Sequence, residues 1–262
     1  MKGFILAFMA LTSMMLSAQT EADFDVGLTE DNTGVVIMKY TGKSATVHIP
    51  ATIQGMPVRE IAGSLSWEFV AGAFQGNNTI TSVVIPAGVT RIGDNAFSGC
   101  NKLTLVTIPE GVTEIGECAF MFSGLTAVTL PKSLKILGYA AFRNTKISTI
   151  TLPEGMKVDG IQDGGAFQEC KNLKTIVIPE GTTTISRQMF SSCSALATIE
   201  LPASIKTIDS FAFAWCTALT SVTIPASVTS VDISYDAFQG CPKMNLASQA
   251  LLKKLGYTGS FQ

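Results

Sequence analysis

The chain has 262 residues, 47% of them hydrophobic, with 18 basic and 20 acidic side chains and a formal net charge of -2. That apolar share suffices for a sizeable core and excludes a disordered chain. Charges this scattered offer no basic stripe for nucleic acid or an anionic membrane.

Residues 1–18 have the form of a secretory signal peptide: Lys2, a mostly apolar run to Leu16, then small Ser17 and Ala18 before polar Gln19. The run is shorter than the roughly 20 residues of a transmembrane helix, so export without membrane insertion is expected, to the medium, the cell surface or the periplasm. Residues 19–49 alternate apolar and polar side chains around turn clusters at 31–34 and 41–44, which predicts a β-hairpin or meander capping the N-terminal end.

Residues 50–241 are a tandem array. An Ile-Pro or Leu-Pro pair ends at Pro50, Pro86, Pro109, Pro131, Pro153, Pro179, Pro202 and Pro225. A phenylalanine follows each, at Phe74, Phe97, Phe120, Phe142, Phe167, Phe190, Phe213 and Phe238, spaced by 23, 23, 22, 25, 23, 23 and 25 residues. Three residues before proline lies an apolar column, Val83, Val106, Val128, Ile150, Ile176, Ile199 and Val222, flanked on both sides by mostly hydroxyl residues. Alternation of that kind marks a short half-buried strand, which proline then closes because it has no N–H to give a ladder. A second apolar pair follows each proline, as in Val112 and Ile115, where the coil turns back to the core. One coil cannot bury its own apolar face, so stacking must complete it. The expected fold is a right-handed leucine-rich-repeat solenoid of about eight coils with one parallel sheet along it. In residues 242–262, Leu251, Leu252 and Leu255 at helical spacing, then Gly256, predict a short capping helix.

The pattern LxxVTIPxxVxxIGxxAFxxC, carried by residues 103–120 and, with two extra residues, by 219–238, resembles that of the BspA-like, or Treponema-type, bacterial leucine-rich repeats. The likeness covers residues 44–241, and Pro, often followed by Gly, stands where common leucine-rich repeats carry Asn. The resemblance implies a secreted or surface protein that attaches to host proteins, matrix or other cells. It carries over no catalytic residue.

Chemistry-bearing residues mostly fall into repeat columns. Cys100, Cys170, Cys193, Cys216 and Cys241 each sit three residues after a repeat Phe. Stacked Cβ vectors run parallel instead of converging, so free buried thiols are expected. Glu110, Glu154 and Glu180 follow prolines and read as a solvated turn column. His48 is the one histidine and reads as an outward strand residue; without a second imidazole, triads and multi-histidine metal sites are not available. The stretch 159–165, DGIQDGG, has Ile161 where a calcium loop needs an oxygen ligand, and NNT at 77–79 matches a glycosylation acceptor. Trp215, between Phe213 and Cys216, reads as packing. No cofactor, metal site or catalytic group is assigned.

Two candidate binding surfaces remain. Thr107, Thr129, Thr151 and Thr223, two residues before proline, and Thr149, Thr175 and Thr198, four before, make a hydroxyl-rich strand face. Insertions before the Phe marker bring Trp67, Glu68 and Tyr235 to one edge. The expected partner is an extracellular or host protein or matrix component. A carbohydrate ligand or a structural role in the envelope is the alternative.

Overall fold

The computed structural model describes residues 20–62, 72–154 and 164–262. The leader, Trp67 and Glu68, and most of the 159–165 insertion lie outside them. A hairpin opens the fold, β1 (Phe24–Leu28) antiparallel to β2 (Val35–Tyr40). In its turn the Asp31 carboxylate accepts hydrogen bonds from Thr29 Oγ1 and from the N–H and hydroxyl of Thr33, which hold its pKa down to about 2.

The chain then winds into coils. β3 (Thr46–His48) is followed by β4 (Thr52–Ile53) and β5 (Met56–Ile61), which pair antiparallel with each other. Already β2 runs parallel to β5, and β3 runs parallel to β6 (Ser82–Val84). Beyond them come β7 (Arg91–Ile92), β8 (Leu105–Thr107), β9 (Glu114–Ile115), β10 (Ile136–Leu137), β11 (Thr149–Thr151) and β12 (Thr175–Val177). The last strands are β13 (Thr184–Ile185), β14 (Thr198–Glu200), β15 (Thr207–Ile208), β16 (Ser221–Thr223) and β17 (Asp232–Ile233). The sheet expected ahead of each proline is there, as β3–β6–β8, β11–β12 and β14–β16. A second parallel column, beyond the single sheet expected, runs through the apolar pairs after proline as β5–β7–β9–β10, with the cap strand β2 added at its start, and as β13–β15–β17. Two residues suffice there because the inward one, Ile92, Ile115, Leu137, Ile185 or Ile208, is essentially fully buried.

Inside, the repeat phenylalanines form one stack. From Phe74 to Phe238 adjacent ring centroids are 4.7 to 5.7 Å apart. Tyr40 and Phe24 extend the stack at one end, and Tyr257, edge-on to Phe238, with Phe261 at the other. The backbone beside the rings is tied coil to coil: Phe97 N–H donates to the Ala119 carbonyl, Phe120 to Ala141 and Phe142 to Ala166, at 2.7 to 2.8 Å. Flanking residues take a left-handed backbone even where they carry side chains, as at Cys118, Ala140 and Gln188. That conformation costs about 1–2 kcal/mol per residue, and it aims the flanking amides at the next coil.

The cysteine column has a physical reason. Cys100, Cys170, Cys193, Cys216 and Cys241 are free and buried, and each thiol donates to the carbonyl of the preceding coil's Phe, from 3.0 Å for Cys100 to Phe74 to 3.3 Å for Cys241 to Phe213. A small apolar group with one weak donor fits that position. Burial pushes the Cys170 thiol up to about 11 and those of Cys100 and Cys241 up to about 12.

The C-terminal cap is α1 (Leu246–Lys254), with Asn245 at its N-cap accepting from Ser248 N–H at 2.8 Å. Leu252 and Leu255 are buried, and Gly256 ends the helix at φ +115°. The Ser248 hydroxyl accepts from Val222 N–H at 3.0 Å, so the helix closes the exposed end of the pre-proline column.

Candidate functional site

All seven candidate threonines are exposed on the pre-proline face. They stand there because strand alternation sends the middle residue inward: Val106, Ile150, Ile176, Ile199 and Val222 are 7% exposed or less. Coil 4 breaks this order. Its inward residue, Val128, is only partly buried, and residues 127–130 form no strand. Among the described residues they make no backbone hydrogen bond to β8 or β11, although Ser148 N–H still reaches the Thr126 carbonyl at 3.2 Å. The same coil has a loop from Phe120 to its strand that is one residue shorter than in coil 3, with Ser123 in the cysteine column. The Ser123 hydroxyl is buried without a hydrogen-bond partner, where the Cys100 thiol of coil 3 is satisfied.

The break opens a groove of about 770 Å³ lined by residues 105–108, 127–130 and 149–154 with Lys132. It brings together Thr107, Thr129, Thr149 and Thr151. Its floor is apolar, from Ile108, Val128, Leu130, Ile150 and Leu152, and its two charged side chains, Lys132 and Glu154, are of opposite sign. Leu105, 56% exposed, and Ala127 belong to the rim although they are not hydroxyl residues. The sequence signal for them is the position four before proline, Ser or Thr in most coils and Leu and Ala in these two. A second break separates β12 from β14. There Thr223 lines a smaller groove of about 310 Å³ with Ile178, Glu180, Glu200 and Leu201. Thr175 and Thr198 line neither groove.

The edge differs from expectation at one residue. Trp215 is 43% exposed and stacked on Phe211 at 5.5 Å, so it lies on the surface and not in the core packing. Its backbone φ is +58°, and its column, Gly76, Gly99, Phe122, Asn144, Glu169, Ser192 and Gly240 in the other coils, has positive φ throughout, the mark of an outward left-handed turn. Tyr235, in the next coil, is 69% exposed, while Trp67 and Glu68 fall outside the described residues.

The glutamate column has a structural task as well. The Glu110 carboxylate accepts from the N–H groups of Lys132 and Ser133, and Glu180 accepts from Ala203 N–H, each one coil ahead. Glu60, Arg91 and Glu114 form a half-exposed ion-pair ladder along β5, β7 and β9. His48 is exposed at the end of β3. Among the described residues no group of His, Cys, Asp and Glu could hold a metal ion, and no helix is long and apolar enough to cross a membrane.

The model of the BspA type leucine-rich-repeat region matches residues 68–164 and 157–259. The chain belongs to the BspA-type leucine-rich-repeat family. This BspA-type protein is similar to a leucine-rich repeat protein from Bacteroides ovatus, with 29% identity and a TM-score of 0.71 over 83% of this chain. It spans 55% of that protein's length. It is also similar to the leucine-rich repeat protein of T. pallidum, with 28% identity over 93% of this chain and 98% of that one, at a TM-score of 0.48. No curated protein matches it. The family of this BspA-type protein is a leucine-rich-repeat family.

Proposed function

We propose that the protein is exported and works without catalysis, as an adhesion or interaction module that binds an extracellular protein or matrix component through the pre-proline face. The observation that supports this most is the groove of about 770 Å³ at the interrupted ladder, where four of the seven outward threonines meet over an apolar floor. Solenoid sheets present broad, shallow platforms suited to macromolecules, and balanced charge at the groove argues against a polyanionic ligand. The family's repeat character and the leader-like first 18 residues support an extracellular setting. The test is binding to immobilised matrix proteins by the protein and by a Thr129→Arg, Thr151→Arg variant. Saturable binding that falls at least tenfold in the variant is expected; unchanged affinity removes this face.

A second reading draws on Trp215, Phe211 and Tyr235. Exposed aromatic rings can stack on sugar faces, so a glycan ligand is the alternative. Loss of binding in Trp215→Ala or Tyr235→Ala, with the threonine variant unaffected, selects it.

A further inference from the structure

We infer that the occupant of the coil 4 groove is an extended polypeptide segment, held by main-chain pairing along the strand edges that the break leaves open. This rests on the pre-proline face being the binding face. On the described part of that face, in-register partners, as Val83 opposite Val106 or Ile150 opposite Ile176, fill the ladder except at coil 4 and between β12 and β14. In a continuous ladder Ile85 N–H donates to the Thr107 carbonyl and Leu152 N–H to that of Val177. The equivalent donor in coil 3, Ile108 N–H, has no partner among the described residues, because the Thr129 carbonyl does not receive it.

Alternating N–H and C=O groups spaced along an edge are matched by another backbone and by little else. A sugar has hydroxyls but no such repeat, and a lipid chain offers no donors. The floor adds the second half of strand recognition. Ile108, Val128, Leu130 and Ile150 line it, so alternate side chains of an extended segment, which point to one side, would meet apolar surface while the others stay in water. Lys132 and Glu154 cancel, which selects a neutral segment rather than an acidic or basic one. The smaller groove between β12 and β14 carries Glu180 and Glu200 and lacks this balance. The structure thus points to a β-branched and hydroxyl-rich neutral segment of the same character as the chain's own strands.

The test uses the 15N-labelled protein and a synthetic peptide with the chain's own neutral strand sequence, residues 103–109, capped at both ends. A twin N-methylated at alternate residues cannot pair along one edge. Expected are saturable binding of the first peptide, at least tenfold weaker binding of the twin, and slowed amide exchange at Val106, Ile108 and Thr129. Leu105→Lys, at an exposed rim position, should weaken binding tenfold without changing the unfolding midpoint. Equal binding of the twin, or shifts confined to residues away from 105–108, 127–130 and 149–154, overturns the inference. If Thr129→Arg, Thr151→Arg abolishes binding of a matrix protein while the two peptides bind alike, the face binds but not by strand pairing, and only this inference falls. If a neutral oligosaccharide shifts the groove amides and the peptide does not, it falls to the glycan reading.

Discussion

Two sides of the same coil 4 behave differently. At the alanine-phenylalanine corner, Phe120 N–H and Phe142 N–H donate across successive coils, and the rings of Phe97, Phe120 and Phe142 stack 5.1 Å apart and within 4° of parallel. On the pre-proline face, residues 127–130 are tied to neither neighbour. The difference shows how labour is divided in a solenoid. The corner is covered on every side by protein, so each lost contact costs burial; the strand face has one side in water, and a missing rung there costs only exchangeable hydrogen bonds. The corner therefore keeps the array in register, and the face is free to vary from copy to copy.

The largest effect should come from breaking the corner. Phe120→Ala removes a fully buried ring from the middle of the stack, and a loss of about 3–5 kcal/mol is expected in urea unfolding; a loss no larger than that of a surface change would erase the contrast. Native-state hydrogen exchange sharpens it next: amides of Phe97, Phe120 and Phe142 should exchange only with global unfolding, and those of Val128, Thr129 and Leu130 far faster. Comparable protection of both sets would mean that coil 4 is paired in solution.

Alkaline pH should act on the corner as well. Burial puts the folded pKa of the Cys100, Cys170 and Cys241 thiols at about 11 to 12 against an ordinary value of 9.0 and pushes Cys193 and Cys216 well up too, so the folded state favours the protonated thiol. Their contribution is complete below pH 9 and is lost as pH rises through the folded values, so the melting temperature should fall between pH 9 and 12. A fall that becomes markedly shallower when Cys100, Cys170, Cys193, Cys216 and Cys241 are all replaced by Ala would attribute it to the column. Smaller still is Glu110→Ala, which removes acceptors for Lys132 and Ser133 N–H and should cost about 1 kcal/mol in the same unfolding assay. Thr198→Arg, on the exposed face outside both grooves, should stay within about 0.5 kcal/mol of the parent.

Much of this was legible in the residues. Period, strand, core columns and the capping helix follow from which positions stay apolar, because burial permits few substitutions. The break was not, since residues 126–131, TAVTLP, keep the strand pattern of their neighbours. Hydrogen bonding between coils depends on how both are placed, and no single copy encodes that. Trp215 went astray for a related reason: its neighbours Phe213 and Cys216 are core, but an intervening left-handed turn points its ring outward. The glycines in its column were the available signal. Glu110 and Glu180 face water as expected, yet their carboxylates also latch the next coil, a use visible only once the coils are stacked.

The cysteine column also bears on how the protein meets an oxidant. Thiol–disulfide exchange runs through the thiolate, and with a folded pKa of about 12 the thiolates of Cys100 and Cys241 at neutral pH are a fraction on the order of 10⁻⁵. In the unfolded chain the same thiols ionise at their ordinary value. Folding thus shields them: once the coils close, burial and the raised pKa both slow oxidation of the column.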